Sequence, residues 1–80
     1  MEIREILAQN LRILRKAKGL SQEELAHLAG LDRTYIGALE RCVYSATIDV
    51  VASIAGALSV DAHELLKSPG QPTTGVGGDK

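Results

Sequence analysis

The stretch from Leu20 to Cys42, "LSQEELAHLAGLDRTYIGALERC", carries two helix-start signals with a glycine between them, and this most constrains the fold. Ser21 has the side chain of a helix N-cap, Glu24 three positions on completes a capping box, and Leu20 is placed to staple onto Leu25. Asp32 provides the next cap, with Leu31 placed to staple onto Ile36. Gly30 lies between the two and accepts the positive φ that ends a helix. The pattern predicts one helix from Gln22 to Gly30 and another after Asp32, joined by a tight turn. Ala26 lets two such helices approach closely, while Ile36 and Leu39 anchor the second to the core.

Three further helices are predicted around this pair. "IREILAQNLRILRKAKG" places Ile3, Leu7, Leu11 and Leu14 on one stripe, with Ile6, Ile13 and Ala17 beside it, and Gly19 ends it. "TIDVVASIAGAL" begins at Thr47 and shows Ile48, Val51, Ala55 and Leu58 on one side. "VDAHEL" repeats the capping-box logic with Asp61 and Glu64, and Val60 is placed to staple onto Leu65. The reading is therefore all-α, with five helices in one domain over residues 1–67. From Ser68 the chain turns to "SPGQPTTGVGGDK", rich in proline and glycine, so residues 68–80 are expected to be a disordered tail or linker stub.

Composition removes several classes of function. At 80 residues, without Phe or Trp, the core must be small and aliphatic, with no room for a large enclosed active site. No nucleophile elbow, phosphate loop or carboxylate pair frames the Ser, His and Asp residues, so no enzyme is expected. The single cysteine, Cys42, excludes an internal disulfide and fits a reducing cytoplasm. His27 and His63 share no ligand spacing with other donors, so no metal, cofactor or small-molecule ligand is expected. Charges interrupt the N-terminus too early for a signal peptide, and no apolar run approaches the roughly 20 residues of a membrane span.

The net charge of −1 weakly opposes a nucleic-acid partner, but its distribution is uneven. Residues 1–41 hold seven Lys/Arg against six Asp/Glu, and residues 42–80 hold two against four. Any cationic surface belongs to the first half. On the helix after Asp32, Ile36, Leu39 and Glu40 turn inward, which leaves Arg33, Thr34, Gly37, Ala38 and Arg41 as the expected outward stripe. A glycine inside a helix costs up to about 1 kcal/mol relative to alanine. A bare middle suits a helix that lies deep in a major groove, with longer side chains at its start reaching base edges. Glu40, facing the core, needs a cation, and Arg15 is the best placed.

With these residues in place, "LSQEELAHLAGLDRTYIGALER" resembles the helix-turn-helix family of phage lambda repressor and Cro, the xenobiotic-response-element family, over residues 3–67. Within it, "LDRTYIGALER" looks most like the controller proteins of restriction-modification systems. The resemblance implies a compact lambda-repressor-like domain, a structural Arg15–Glu40 ion pair, and helix three in the DNA major groove. Arg33 and Thr34 are then the expected base readers, with the Ala38 methyl against a thymine and Gly37 giving clearance. Gln22 at a helix start, Tyr35, Arg41, Tyr44 and Ser45 are expected on phosphates. The chain departs from the family after helix three, where "CVYSA" supplies neither the usual glycine nor a positive charge. Cys42 must then take the left-handed conformation or end the helix differently.

One small domain with a short reading stripe binds weakly, so a homodimer on a palindrome is expected, its interface formed by Ala62, Leu65 and Leu66. The rival reading is a protein-interaction module, antitoxin-like or adaptor, using the same helices. Arg12, Lys16 and Lys18 are read as a solvated face.

Overall fold

A computed structural model describes residues 2–69. The helices are α1 (Ile3–Ala17), α2 (Gln22–Ala29), α3 (Arg33–Glu40), α4 (Ile48–Leu58) and α5 (Ala62–Leu66), and no strand occurs among the described residues. The expected tail lies outside the described residues except for positions 68 and 69.

Local chemistry sets the boundaries. The Ser21 hydroxyl accepts from the Glu24 amide at 3.0 Å while the Glu24 carboxylate accepts from the Ser21 amide at 2.8 Å, a complete capping box. Asp32 accepts from the Thr34 amide at 3.2 Å, and Thr47 accepts from the Val50 amide at 3.1 Å. Gly30 ends α2 at φ +71°. Two ends behave differently. Asp61 precedes α5 without a side-chain cap hydrogen bond, so the expected capping box there does not form. Cys42 follows α3 at φ +61°, a left-handed backbone that costs an L-residue roughly 1–2 kcal/mol.

The helices wrap one aliphatic core, with Leu11, Leu25, Ile36, Leu39, Ile54, Leu58 and Leu65 fully buried. α2 packs on α3 and α4, α1 on α3 and α5, and α4 on α5, so α3 is held from two sides. Three expectations about faces are corrected here. Ile48 is 87% exposed instead of sharing the buried side of Val51, Ala55 and Leu58, because it stands at the first turn of α4 beyond the reach of α1 and α5. Ile3 and Ile13 of the α1 stripe are exposed as well. Leu65 is fully buried, since α5 is so short that it docks through this one side chain. Leu65 is therefore a core residue and is not available to an interface, whereas Ala62 and Leu66 stay exposed.

Candidate nucleic-acid interface

α3 presents its first turn to solvent. Arg33 and Thr34 are exposed, and Arg41 is exposed at the other end. Tyr35 is half-buried, and its hydroxyl donates to the Ser45 carbonyl at 3.4 Å. The Tyr44 ring lies 6.1 Å from that of Tyr35 at a tilt of 34°, within the range of aromatic pairs. The two tyrosines tie the α3–α4 loop to the flank of α3, leaving Tyr44 and Ser45 exposed beside the first turn.

The middle of α3 differs from the expected outward stripe. Gly37 is buried and Ala38 is only 3% exposed. The cause at Gly37 is its neighbours: a Cβ built there would meet Arg41 Nη1 at 3.2 Å and Gln22 Oε1 at 3.5 Å. After Ala38 the chain turns over Cys42, and the Val43 amide donates back to the Ala38 carbonyl at 2.9 Å. The bare surface at Gly37 is thus filled from within the chain. Its glycine leaves room for two polar side chains folded over the helix.

Behind this face lies an ion-pair network. Arg15 donates to Glu40 twice, from Nε to Oε2 at 2.6 Å and from Nη2 to Oε1 at 3.0 Å, and its Nη1 donates to the Leu20 carbonyl at 2.8 Å. Glu40 is 4% exposed, so the paired geometry is what makes its charge tolerable. Burial pushes the Glu40 carboxyl up, but the hydrogen bonds from Arg15 and Gln22 and the charges of Arg15 and Arg12 outweigh it and hold the group below its ordinary range. The hydrogen bond to Glu40 raises the Arg15 guanidinium in turn. The pair joins α1 to the C-terminal end of α3.

Gln22 is placed differently from its expected free position at the start of α2. It is half-buried, and its Nε2 donates to Glu40 Oε1 at 3.1 Å. Two further residues escape the sequence reading. Arg12, taken for a solvated side chain, donates from Nη2 to the Glu40 carbonyl at 2.9 Å and so satisfies an end of α3. The signal was its position one turn before Arg15 on the same face. Asn10 is buried and donates from Nδ2 to the carbonyls of Leu65 at 2.9 Å and Lys67 at 2.7 Å, fastening the end of α5 to α1. Its signal was a polar residue within the apolar period of Leu7 and Leu14.

An open apolar groove of about 470 Å³ runs between α1, α4 and α5, lined in part by Ile3, Ile48, Ala52, Ala62 and Leu66. Among the described residues no three His, Cys, Asp or Glu side chains are grouped to hold a metal ion. No helix there is long and apolar enough to cross a membrane.

The helix-turn-helix family pattern matches residues 11–65, the stretch that contains α2, the Gly30 turn and α3. The chain belongs to this family. It is 46% identical over 68 residues to a hypothetical transcription factor of Neisseria meningitidis, covering 85% of this chain and 64% of that protein, so it spans under two thirds of that relative's length. The solved structure of that Neisseria factor superposes with a TM-score of 0.83, covering 85% of this chain and 78% of the other. The chain is 44% identical over 70 residues to the control protein C.SmaI of Serratia marcescens, covering 88% of this chain and 83% of that one. The restriction-modification controller protein C.AhdI of Aeromonas hydrophila has a TM-score of 0.76 at 45% identity, covering 78% of this chain and 94% of its own. The five-helix fold and the likeness to controller proteins read from the residues both stand.

Proposed function

We propose that the chain is a non-enzymatic, sequence-specific transcriptional regulator of the cytoplasm. It binds a palindromic double-stranded DNA operator as a homodimer, with α3 in the major groove. The observation that carries this reading is the exposed first turn of α3, where Arg33 and Thr34 project from a helix held to α1 by the buried Arg15–Glu40 pair. Arg33 reads a guanine through a bidentate contact, and Thr34 contacts the neighbouring base. Arg41, Tyr35, Tyr44 and Ser45 serve phosphates, which fix register without reading sequence. Gly37 and Ala38 act as packing positions and are withdrawn from base contact.

The second copy seats on the apolar groove, where Ile48, Ala62 and Leu66 give each protomer an unpartnered surface. Two α3 helices then meet one face of a duplex, with half-sites about 34 Å apart. Selection of bound duplexes from a random pool tests the whole reading. An enriched palindrome is expected, and Arg33→Ala should relax preference at one position in each half-site by about 1–3 kcal/mol. Absence of salt-sensitive binding to any duplex would leave the protein-interaction reading instead.

A further inference from the structure

We propose that Gly56 is the seat for the partner's Ile48 in the homodimer, so that two α4 helices cross face to face about their Ala52 residues. The inference rests on the homodimer reading above. Ile48, Ala52 and Gly56 follow one another at four-residue intervals, so they stand in one row along α4, and all three are exposed. Ile48 leaves 87% of its surface open, the most among the exposed large hydrophobic residues. Gly56, within the same helix, destabilises it relative to alanine, yet a Cβ there would meet nothing within 4 Å. The other described glycines have a reason inside the protomer: Gly19 and Gly30 take positive φ, and Gly37 lies beneath Gln22 and Arg41. An isoleucine without cover and a glycine without a neighbour thus lie about 12 Å apart on one ridge.

A two-fold axis perpendicular to both helices gives each of them a counterpart. In an isologous contact, residue i meets residue j while j meets i. With Ala52 at the axis, the partner's Ile48 meets Gly56, and Ile48 meets the partner's Gly56. Ridges of residues four apart interdigitate in the commonest class of helix crossing, and a position without a side chain is a hole for a branched one. The row carries no charge, so two copies meet without setting like charges together. Ile48 and Ala52 also line the groove that includes Ala62 and Leu66, which makes the row continuous with the surface assigned to the second copy. Residues 70–80 bring one large apolar side chain, Val76, too little to cover Ile3, Ile48 and Leu66 from within the chain.

The test is sedimentation equilibrium over a concentration series on the full chain, with Gly56→Ala, Ile48→Ala and the double variant. Gly56→Ala should weaken dimerisation about tenfold, because its methyl fills the seat. Ile48→Ala should weaken it at least tenfold by removing the knob. In the Ile48→Ala background the Gly56→Ala step should change the dimer constant less than about twofold, since no knob is left to exclude. A dimer constant unchanged by Gly56→Ala overturns the proposal, and so do losses that multiply in the double variant.

Melting measured at a dilution that leaves the chain monomeric should move the opposite way. There Gly56→Ala should raise the melting temperature by about 2–8 °C, since alanine suits the helix and enters open space. A lower melting temperature would give Gly56 a role within the protomer and overturn the proposal as well. A wild-type chain that stays monomeric at every concentration removes the homodimer reading and the inference together, whereas a dimer indifferent to Gly56→Ala removes the inference alone.

Discussion

Replacing Glu40 by Gln tests the most costly arrangement in the molecule. The substitution keeps the side chain's size but leaves the Arg15 guanidinium, nearly covered, facing a neutral group. Breaking a buried ion pair by removing one partner costs about 3–5 kcal/mol. Arg15 retains the Leu20 carbonyl at 2.8 Å, which places the expected loss at the lower end, about 3 kcal/mol. At about 4–8 °C per kcal/mol for a domain of this size, the melting temperature should fall by about 12–24 °C.

The pH dependence carries a definite sign. The Glu40 carboxyl titrates below its ordinary range in the folded chain, so the unfolded chain takes up the proton first as pH falls. The stabilisation is complete above the unfolded value, about 4.3, and drains away as pH drops through the lower folded value. Melting followed by circular dichroism at pH 7 and near pH 2.5 should therefore show a wide gap between wild type and Glu40→Gln that narrows in acid. A gap of under about 3 °C at pH 7, or one that stays constant on acidification, would refute the assignment of Glu40 as a stabilising charge.

Other outcomes follow from single features of the fold. Ser59 ends α4 at φ +59° with its side chain exposed, so Ser59→Gly relieves the left-handed cost of about 1–2 kcal/mol against a glycine entropy cost of about 0.5–1. Denaturant titration should show a net gain of about 0.5–1 kcal/mol, and a loss would contradict the backbone geometry. Asn10→Leu strips both bonds from the Leu65 and Lys67 carbonyls and should cost about 1–3 kcal/mol, with hydrogen exchange rising first in α5. Ile48→Asp places a charge in the apolar groove and should convert the proposed dimer to monomer in sedimentation equilibrium without lowering the melting temperature of the isolated domain. An unchanged dimer would move the interface elsewhere.

The amino-acid sequence by itself determined where helices begin and end, because capping is a matter of three or four neighbouring residues. Ser21 with Glu24, Gly30 and Asp32 could be read without knowing what packs on them, and α2 and α3 occupy the expected residues. The inward turn of Ile36, Leu39 and Glu40 was likewise legible from helical period. Where local chemistry was weaker, at Asp61 and Cys42, the reading was wrong or left two choices open.

Only the tertiary structure decided what each exposed-looking face meets. Gly37 and Ala38 were expected on the outward stripe of α3, yet both are buried, Gly37 beneath the Gln22 and Arg41 side chains. The partnership of Gln22 with Glu40 spans eighteen positions, and no periodicity within one helix reports a contact between two. The same holds for Leu65, buried because α5 has room for a single anchor, and for Ile48, left in the open because no helix reaches it. Caps and periods are properties of a segment, whereas burial belongs to the space that other segments leave.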